Sequence, residues 1–171
     1  MEIVTAQAPG REVTALYEAH ALSLIRLAYV MLGDRPAAED VVQEAFLGLY
    51  QRWGQLRDTA SAPGYLRTSV LNGCRMVLRS SARRNARLAG GGSEVPWESA
   101  EATALVSEEY RYLLRGIRAL PPRQREALLL RYYLDLSEEE TARSMGVRRG
   151  TVKSSTSRAL AALGQRLQEY L

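Results

Sequence analysis

The sequence predicts an all-α protein of two small helical domains joined by a flexible linker. Three observations carry that expectation. Apolar residues recur at helical spacing along most of the 171-residue chain, no stretch alternates as a strand does, and the segment "RLAGGGSEVPWESAEA" breaks every period with Gly, Ser, Pro and Glu. The expected boundaries are residues 1–88 for the first domain, 89–104 for the linker and 105–171 for the second domain. No internal repeat is present.

Val13, Leu16, Tyr17, Leu24, Leu27, Ala28 and Met31 form the apolar stripe of a first helix, which Gly33 is placed to end. Asp34 suits the N-cap of a second helix, with Pro36 in its first turn and Glu39 and Asp40 near its positive end. That helix is expected to bury Val42, Ala45, Phe46, Leu49 and Trp53. The loop "GQLRDTASAPG" precedes a third helix, expected from about Tyr65 to Arg84. Beyond the linker a helix runs through Leu105, Leu113, Leu114 and Ile117 to Leu120, where Pro121 and Pro122 stop it. "RQREALLLRYYL" follows. Ser137, with Glu140 three residues on, reads as a capping box opening a short helix that ends at Gly146.

Several function classes drop out on composition. Cys74 is the only cysteine and His20 the only histidine, so no internal disulfide or Cys-based metal cluster can form and most triads are excluded. Both residues read as packing residues, and Trp97 reads as a small anchor within the linker. No catalytic constellation can be assembled, which points away from an enzyme and from any cofactor or small-molecule substrate. No run approaches the ~18 apolar residues of a membrane span, and the N-terminus lacks a basic-then-apolar signal. The expected compartment is the cytoplasm.

Net charge is only +4, but it is unevenly placed. No acid lies between Asp58 and Glu94, where Arg67, Arg75, Arg79, Arg83, Arg84 and Arg87 fall. None lies between Glu140 and Glu169, where Arg143, Arg148, Arg149, Lys153, Arg158 and Arg166 fall. Two basic blocks suggest two contacts with a polyanion. The blander reading is a pair of solvated arginine faces.

The second block contains "GVRRGTVKSSTSRAL". Ala142, Gly146 and Val152 have the spacing of a helix-turn-helix: a small residue for close approach, a glycine for the left-handed turn and a valine for the core. Val152, Ala159 and Leu163 then face inward, leaving Arg149, Lys153, Ser154, Ser157 and Arg158 outside. Gly150 and Thr151 lie at the helix start, whose amides favour a phosphate. Such a helix fits a DNA major groove.

The rest of the chain narrows the choice. "LPPRQREALLLRYYLDLSEEETARSMGVRRGTVKSSTSRALAAL" resembles region 4 of the extracytoplasmic-function (ECF) sigma factors of bacterial RNA polymerase. "GDRPAAEDVVQEAFLGLYQRW" is similar to their region 2.2, and "APGYLRTSVLNGCRMVLRSSARR" to their regions 2.3 and 2.4. The pattern is nearest the actinobacterial branch. The resemblance implies a dissociable promoter-specificity subunit without catalysis of its own. Asp40, Gln43 and Glu44 match the family's "DxxQE" motif, which docks on the β′ clamp helices of core polymerase. The β subunit and promoter DNA are implied as further partners, and an anti-sigma factor is admitted as another. Region 4 would read the −35 element, with Lys153, Ser154 and Ser157 at base edges, Arg148, Arg149 and Arg158 on phosphates, and Thr151 at the helix start. Region 2 would open and hold the −10 element. Arg75, Arg79 and Arg83 repeat every four residues as one stripe, Arg84 adjoins it, and Asn72 matches a residue near the base-capture pocket whose other wall is the loop from Leu56 to Pro63. Asn72 can also be read as bonding its own helix.

This chain departs from the family at Met76, where Asp is frequent, and at Ser155, where Arg or His is usual. Tyr65 stands near a common Trp and is read either as core or as an aid to melting. The rival reading is a helix-turn-helix regulator with a helical sensor or dimerisation domain, which gives no reason for the other basic block, from Arg67 to Arg87. A helical adaptor that binds only protein is opposed by the acid-free recognition helix.

Overall fold

The computed structural model describes residues 9–87 and 107–170, among which the chain forms seven α-helices and no strand. The expected linker, Trp97 and Leu105 lie outside the described residues.

The first helix, α1 (Pro9–Leu32), buries Val13, Ala21, Leu24, Leu27, Ala28 and Met31. By length and composition residues 10–32 are apolar enough to cross a membrane, which the sequence reading did not register. Their buried stripe is instead the wall of a core shared with the next two helices. Gly33 takes a left-handed φ of 74° and its amide donates to Tyr29 O at 2.7 Å, closing α1. Asp34 then caps α2 (Arg35–Arg52), its carboxylate accepting from the Ala37 amide at 3.1 Å. So short a connection makes α1 and α2 antiparallel neighbours. Tyr17 stays partly exposed while its ring meets Phe46 edge-on, centroids 5.0 Å apart.

Trp53 leaves α2 in a 3₁₀ turn (Trp53–Gln55) and is half-buried rather than enclosed. Asp58 caps a second 3₁₀ turn (Thr59–Ser61), accepting from the Ala60 amide at 2.9 Å. This turn feeds directly into α3 (Ala62–Arg87), which therefore starts before Tyr65. Pro63 is no obstacle, because the first turn of a helix has no use for its missing N–H. Ala62, Leu66, Val70, Leu71 and Cys74 line the buried face of α3. Gly73 allows the closest approach to α2, since a β-carbon there would lie 2.7 Å from Val41 Cγ1.

In the C-terminal half, Ser107 caps α4 (Glu108–Arg118), with Glu108 and Glu109 in its first turn and Arg115 and Arg118 in its last. Those signs oppose the helix dipole at each end. Pro122 opens α5 (Pro122–Leu128), which widens into a π turn (Leu129–Tyr133) where the Leu134 amide reaches back to Leu129 O at 3.0 Å. The capping box at α6 (Glu138–Met145) is formed: the Glu140 amide donates to Ser137 Oγ at 3.2 Å and the Ser137 amide to Glu140 Oε2 at 2.8 Å. Gly146, at φ 66°, turns the chain toward α7 (Arg149–Tyr170), and the Val147 amide closes on Ala142 O at 3.0 Å.

The two halves share one core. Ala127, Leu129, Leu130, Leu136, Met145 and Val152 belong to the same buried cluster as the faces of α1 to α3. Leu120, Leu128, Ala159 and Leu163 form a second, smaller cluster under α7. Arg125 fastens the junction: its buried guanidinium donates to Met31 O at 2.5 Å, at the end of α1, and to Arg118 O at 2.5 Å and Leu120 O at 3.1 Å, at the end of α4.

Gly33 tests this corner. A β-carbon there would fall on the Arg118 guanidinium and would force a left-handed backbone on an L residue. Gly33→Ala should cost about 1–2 kcal/mol. A thermal melt should show Tm lower by about 2–8 °C; an unchanged Tm would mean that the turn relaxes at no cost.

Candidate nucleic-acid interface

The helix-turn-helix forms as its spacing required. Ala142 and Val152 are buried where α6 and α7 cross, and Gly146 supplies the turn. Arg148 sits just before α7, its carbonyl accepting from the amides of Thr151 at 2.9 Å and Val152 at 3.2 Å. Arg148, Lys153, Ser154, Ser157 and Arg158 are exposed, and Thr151 is half-buried. Arg149 is exposed but leans on Glu138 of α6 at 3.6 Å, a loose pair that water screens. Ser154 turns its hydroxyl back to Thr151 O at 3.1 Å. Ser155 is buried, so the residue that differs from the family's usual Arg or His faces the core.

On α2, Asp40, Gln43 and Glu44 are exposed together. Leu47 and Tyr50, two apolar side chains not singled out from sequence, are half-exposed further along the same helix. Asp40 and Glu44 also line a shallow groove between α2 and α3, whose opposite wall carries Tyr65, Asn72 and Met76. The structure thus puts Asn72 across a groove from the acidic motif.

The arginine stripe of α3 divides in two. Arg79 and Arg83 are exposed and lie along their own helix, their Nε atoms donating to Arg75 O at 3.3 Å and Arg79 O at 3.4 Å. Arg83, Arg84 and Arg87 line a hollow at the C-terminal end, where cations suit the helix dipole. Arg75 is different. Its guanidinium forks onto the Glu126 carboxylate, donates to Met145 O at 3.2 Å and to Asn72 Oδ1 at 3.0 Å. Burial pushes the Glu126 carboxyl up from its ordinary range, and Arg75 pulls it the other way. Among the described residues no group of three or more His, Cys, Asp or Glu could hold a metal ion.

Comparison with known proteins settles the family. Sigma-70 region 2 matches residues 16–84, and Sigma-70 region 4 matches residues 110–163. The RNA polymerase sigma-E factor of Streptomyces avermitilis is 32% identical over 151 residues, covering 85% of this chain and 79% of its own. The chain belongs to the ECF sigma factors. The ECF RNA polymerase sigma factor SigL of Mycobacterium tuberculosis is 33% identical over 156 residues, covering 91% of this chain and 88% of its own. In fold, this sigma factor is similar to the sigma factor RpoE of Bartonella quintana in its complex with the anti-sigma factor NepR (TM-score 0.76, 22% identity, 91% of this chain and 96% of that one). CnrH, in complex with the cytosolic domain of CnrY, gives a TM-score of 0.67 at 20% identity, covering 96% of this chain and 94% of that one. As a sigma factor the protein acts with core RNA polymerase to direct promoter-specific transcription initiation.

Cys74, next to Arg75 in the chain, is fully buried, and burial pushes its thiol up to about 12. The neutral thiol should therefore persist well above pH 8. Iodoacetamide at pH 8 should leave the native protein unmodified and alkylate it in guanidinium. Rapid native alkylation would mean that α3 separates from the core on the timescale of the reaction.

Proposed function

We propose that this sigma factor divides initiation among three surfaces. The exposed face of α7, free of acids from Arg149 to Gln168 and held by the helix-turn-helix, is the observation that carries the reading. Lys153, Ser154 and Ser157 read base edges of the −35 duplex, while Arg148, Arg149 and Arg158 hold phosphates and Thr151 sits by the helix's amide-rich end. Asp40, Gln43 and Glu44 dock on the β′ clamp helices. Asn72 with Arg75, Arg79, Arg83 and Arg84 takes the opened −10 strand, the amide reading an unstacked base edge and the arginines its backbone. The division corresponds to residues 1–88 for polymerase and −10 functions, 89–104 as linker and 105–171 for the −35 element.

The protein is an initiation factor without catalysis of its own, working in the cytoplasm beside the polymerase. An anti-sigma factor is a further partner, a reading supported by the similar folds of RpoE and CnrH, whose structures hold NepR and the cytosolic domain of CnrY. The half-exposed Leu47 and Tyr50 extend the α2 docking face with apolar area, whose burial favours association.

Asp40→Arg tests the docking face. An exposed substitution usually changes stability by no more than ~0.5 kcal/mol. A like-charge juxtaposition at an interface costs several kcal/mol, and each ~1.4 kcal/mol is tenfold in affinity. Core binding in a pull-down should fall at least a hundredfold, on the order of 3 kcal/mol, and promoter-specific transcripts should vanish, with an unchanged circular-dichroism melt. A folded variant that holds core as tightly as wild type removes the docking assignment.

Lys153→Ala should cost ~1–3 kcal/mol at the preferred −35 sequence and less elsewhere. Arg148→Ala should weaken all duplexes alike. Equal losses on every sequence for Lys153→Ala would make it a phosphate contact.

A further inference from the structure

Three donor groups that the promoter and polymerase surfaces leave unused line one cavity of about 290 Å³. His20 of α1, Arg67 of α3 and Tyr133 of the π turn carry its donors, while Leu24, Pro63, Leu134 and Leu136 form an apolar wall. No acid is among the lining residues. Arg67 Nε is buried and has no acceptor among the described residues, and the guanidinium forms no ion pair with any of them. Glu140 feels the charge of Arg67, but its carboxylate is already held by the Ser137 amide at 2.8 Å and hydroxyl at 2.7 Å. The His20 imidazole and the Tyr133 hydroxyl likewise have no hydrogen-bond partner among the described residues. Ser23, also in the lining, spends its own hydroxyl hydrogen on His20 O at 2.9 Å. We propose that this cavity binds a small organic phosphate monoester, its phosphate on Arg67, His20 and Tyr133 and its apolar part against Leu24, Pro63, Leu134 and Leu136.

The chemistry of the lining selects the ligand. Leaving a buried donor without an acceptor costs more than an average hydrogen bond contributes, so Arg67 calls for an acceptor at this place. A guanidinium beside acid-free walls favours an anion, and its fork of N–H groups fits carboxylate and phosphate alike. Geometry separates the two. A carboxylate presents two oxygens in one plane, whereas these donors arrive from three different elements, which suits the tetrahedral oxygens of a phosphate. The volume lies near the lower bound of ~300 Å³ for ligand pockets, so the body attached to the phosphate is about the size of one ring. An apolar wall with a few placed polar groups is the usual make-up of such a site. It gives the protein a small-molecule input separate from its DNA and polymerase surfaces.

His20 is the only histidine, so a single set of imidazole NMR signals reports on the cavity. The full chain is titrated at fixed pH with phenyl phosphate, inorganic phosphate or benzoate, at an ionic strength held constant with sodium chloride. Phenyl phosphate should move the His20 signals along a one-site saturable curve. Its affinity should exceed that of inorganic phosphate roughly tenfold, through the ring buried on the apolar wall. Benzoate should bind more weakly than phenyl phosphate, and sodium chloride alone should leave the signals in place. Arg67→Met keeps an apolar stem but no donor and should weaken phenyl phosphate at least about tenfold. Tyr133→Phe keeps the ring and should weaken it by roughly fivefold.

His20 signals that stay in place with phenyl phosphate, or that move as far with sodium chloride, overturn the proposal. Unchanged affinity in Tyr133→Phe also overturns it, and that result decides even where Arg67→Met fails to fold. Benzoate bound as tightly as phenyl phosphate refutes the phosphate class, and inorganic phosphate bound as tightly refutes the apolar seat. Binding that persists in a folded Arg67→Met protein but disappears from Arg79→Ala with Arg83→Ala belongs to the basic stripe of α3. That outcome removes the cavity as a site and leaves the promoter reading intact.

Discussion

Arg125 and Glu126 are adjacent in α5, and the arrangement of the whole molecule depends on their pointing different ways. Among the described residues the guanidinium of Arg125 meets no carboxylate. It reaches three backbone carbonyls, at the ends of α1 and α4, where helices concentrate partial negative charge. Burial alone would disfavour that charge and pulls its pKa down from the usual value. Bonds from a charged donor contribute about 1.5–3 kcal/mol each, enough to hold the group charged among carbonyls that would otherwise lack partners. Glu126 faces α3. Between them they fix the C-terminal half against two elements of the N-terminal half, and the shared apolar cluster fills the space they define.

What could be read from the sequence was mostly local. Gly33, Asp34, Ser137, Glu140 and Gly146 are caps and turns whose chemistry is complete within a few residues, and each takes the conformation its type prefers. The buried face of α7 followed from its period. α3 begins earlier than expected, because a proline near the start of an apolar run reads as loop although a first helical turn accepts it.

The long-range pairings were not legible. An arginine every four residues describes a stripe, but not that its first member meets an acid 51 positions away. The signal available was weak: Glu126 stands at the head of "EALLL", where an acid on an otherwise apolar face needs a partner. Nothing local could say which arginine would supply it. Ser155 is the opposite case. It stands out as a departure from the family's usual Arg or His, yet its place in the helical period, one turn beyond Val152 and one before Ala159, puts it inside. A small hydroxyl fits there without displacing its neighbours.

The π turn after α5 bears on how such proteins diverge. One residue more than an α-helical path requires is accommodated between Leu129 and Leu134, and the chain then leaves the helix axis through Asp135, whose φ is 51°. Tyr132 and Tyr133 are thereby turned outward and Leu134 and Leu136 inward. The direction in which α6 and α7 set off therefore depends on chain length at this place as well as on the side chains that pack them. A change of chain length here acts on where α6 and α7 sit, whereas a substitution on the outer face of α7 changes its surface chemistry alone. Placement and surface chemistry of α7 can therefore change separately.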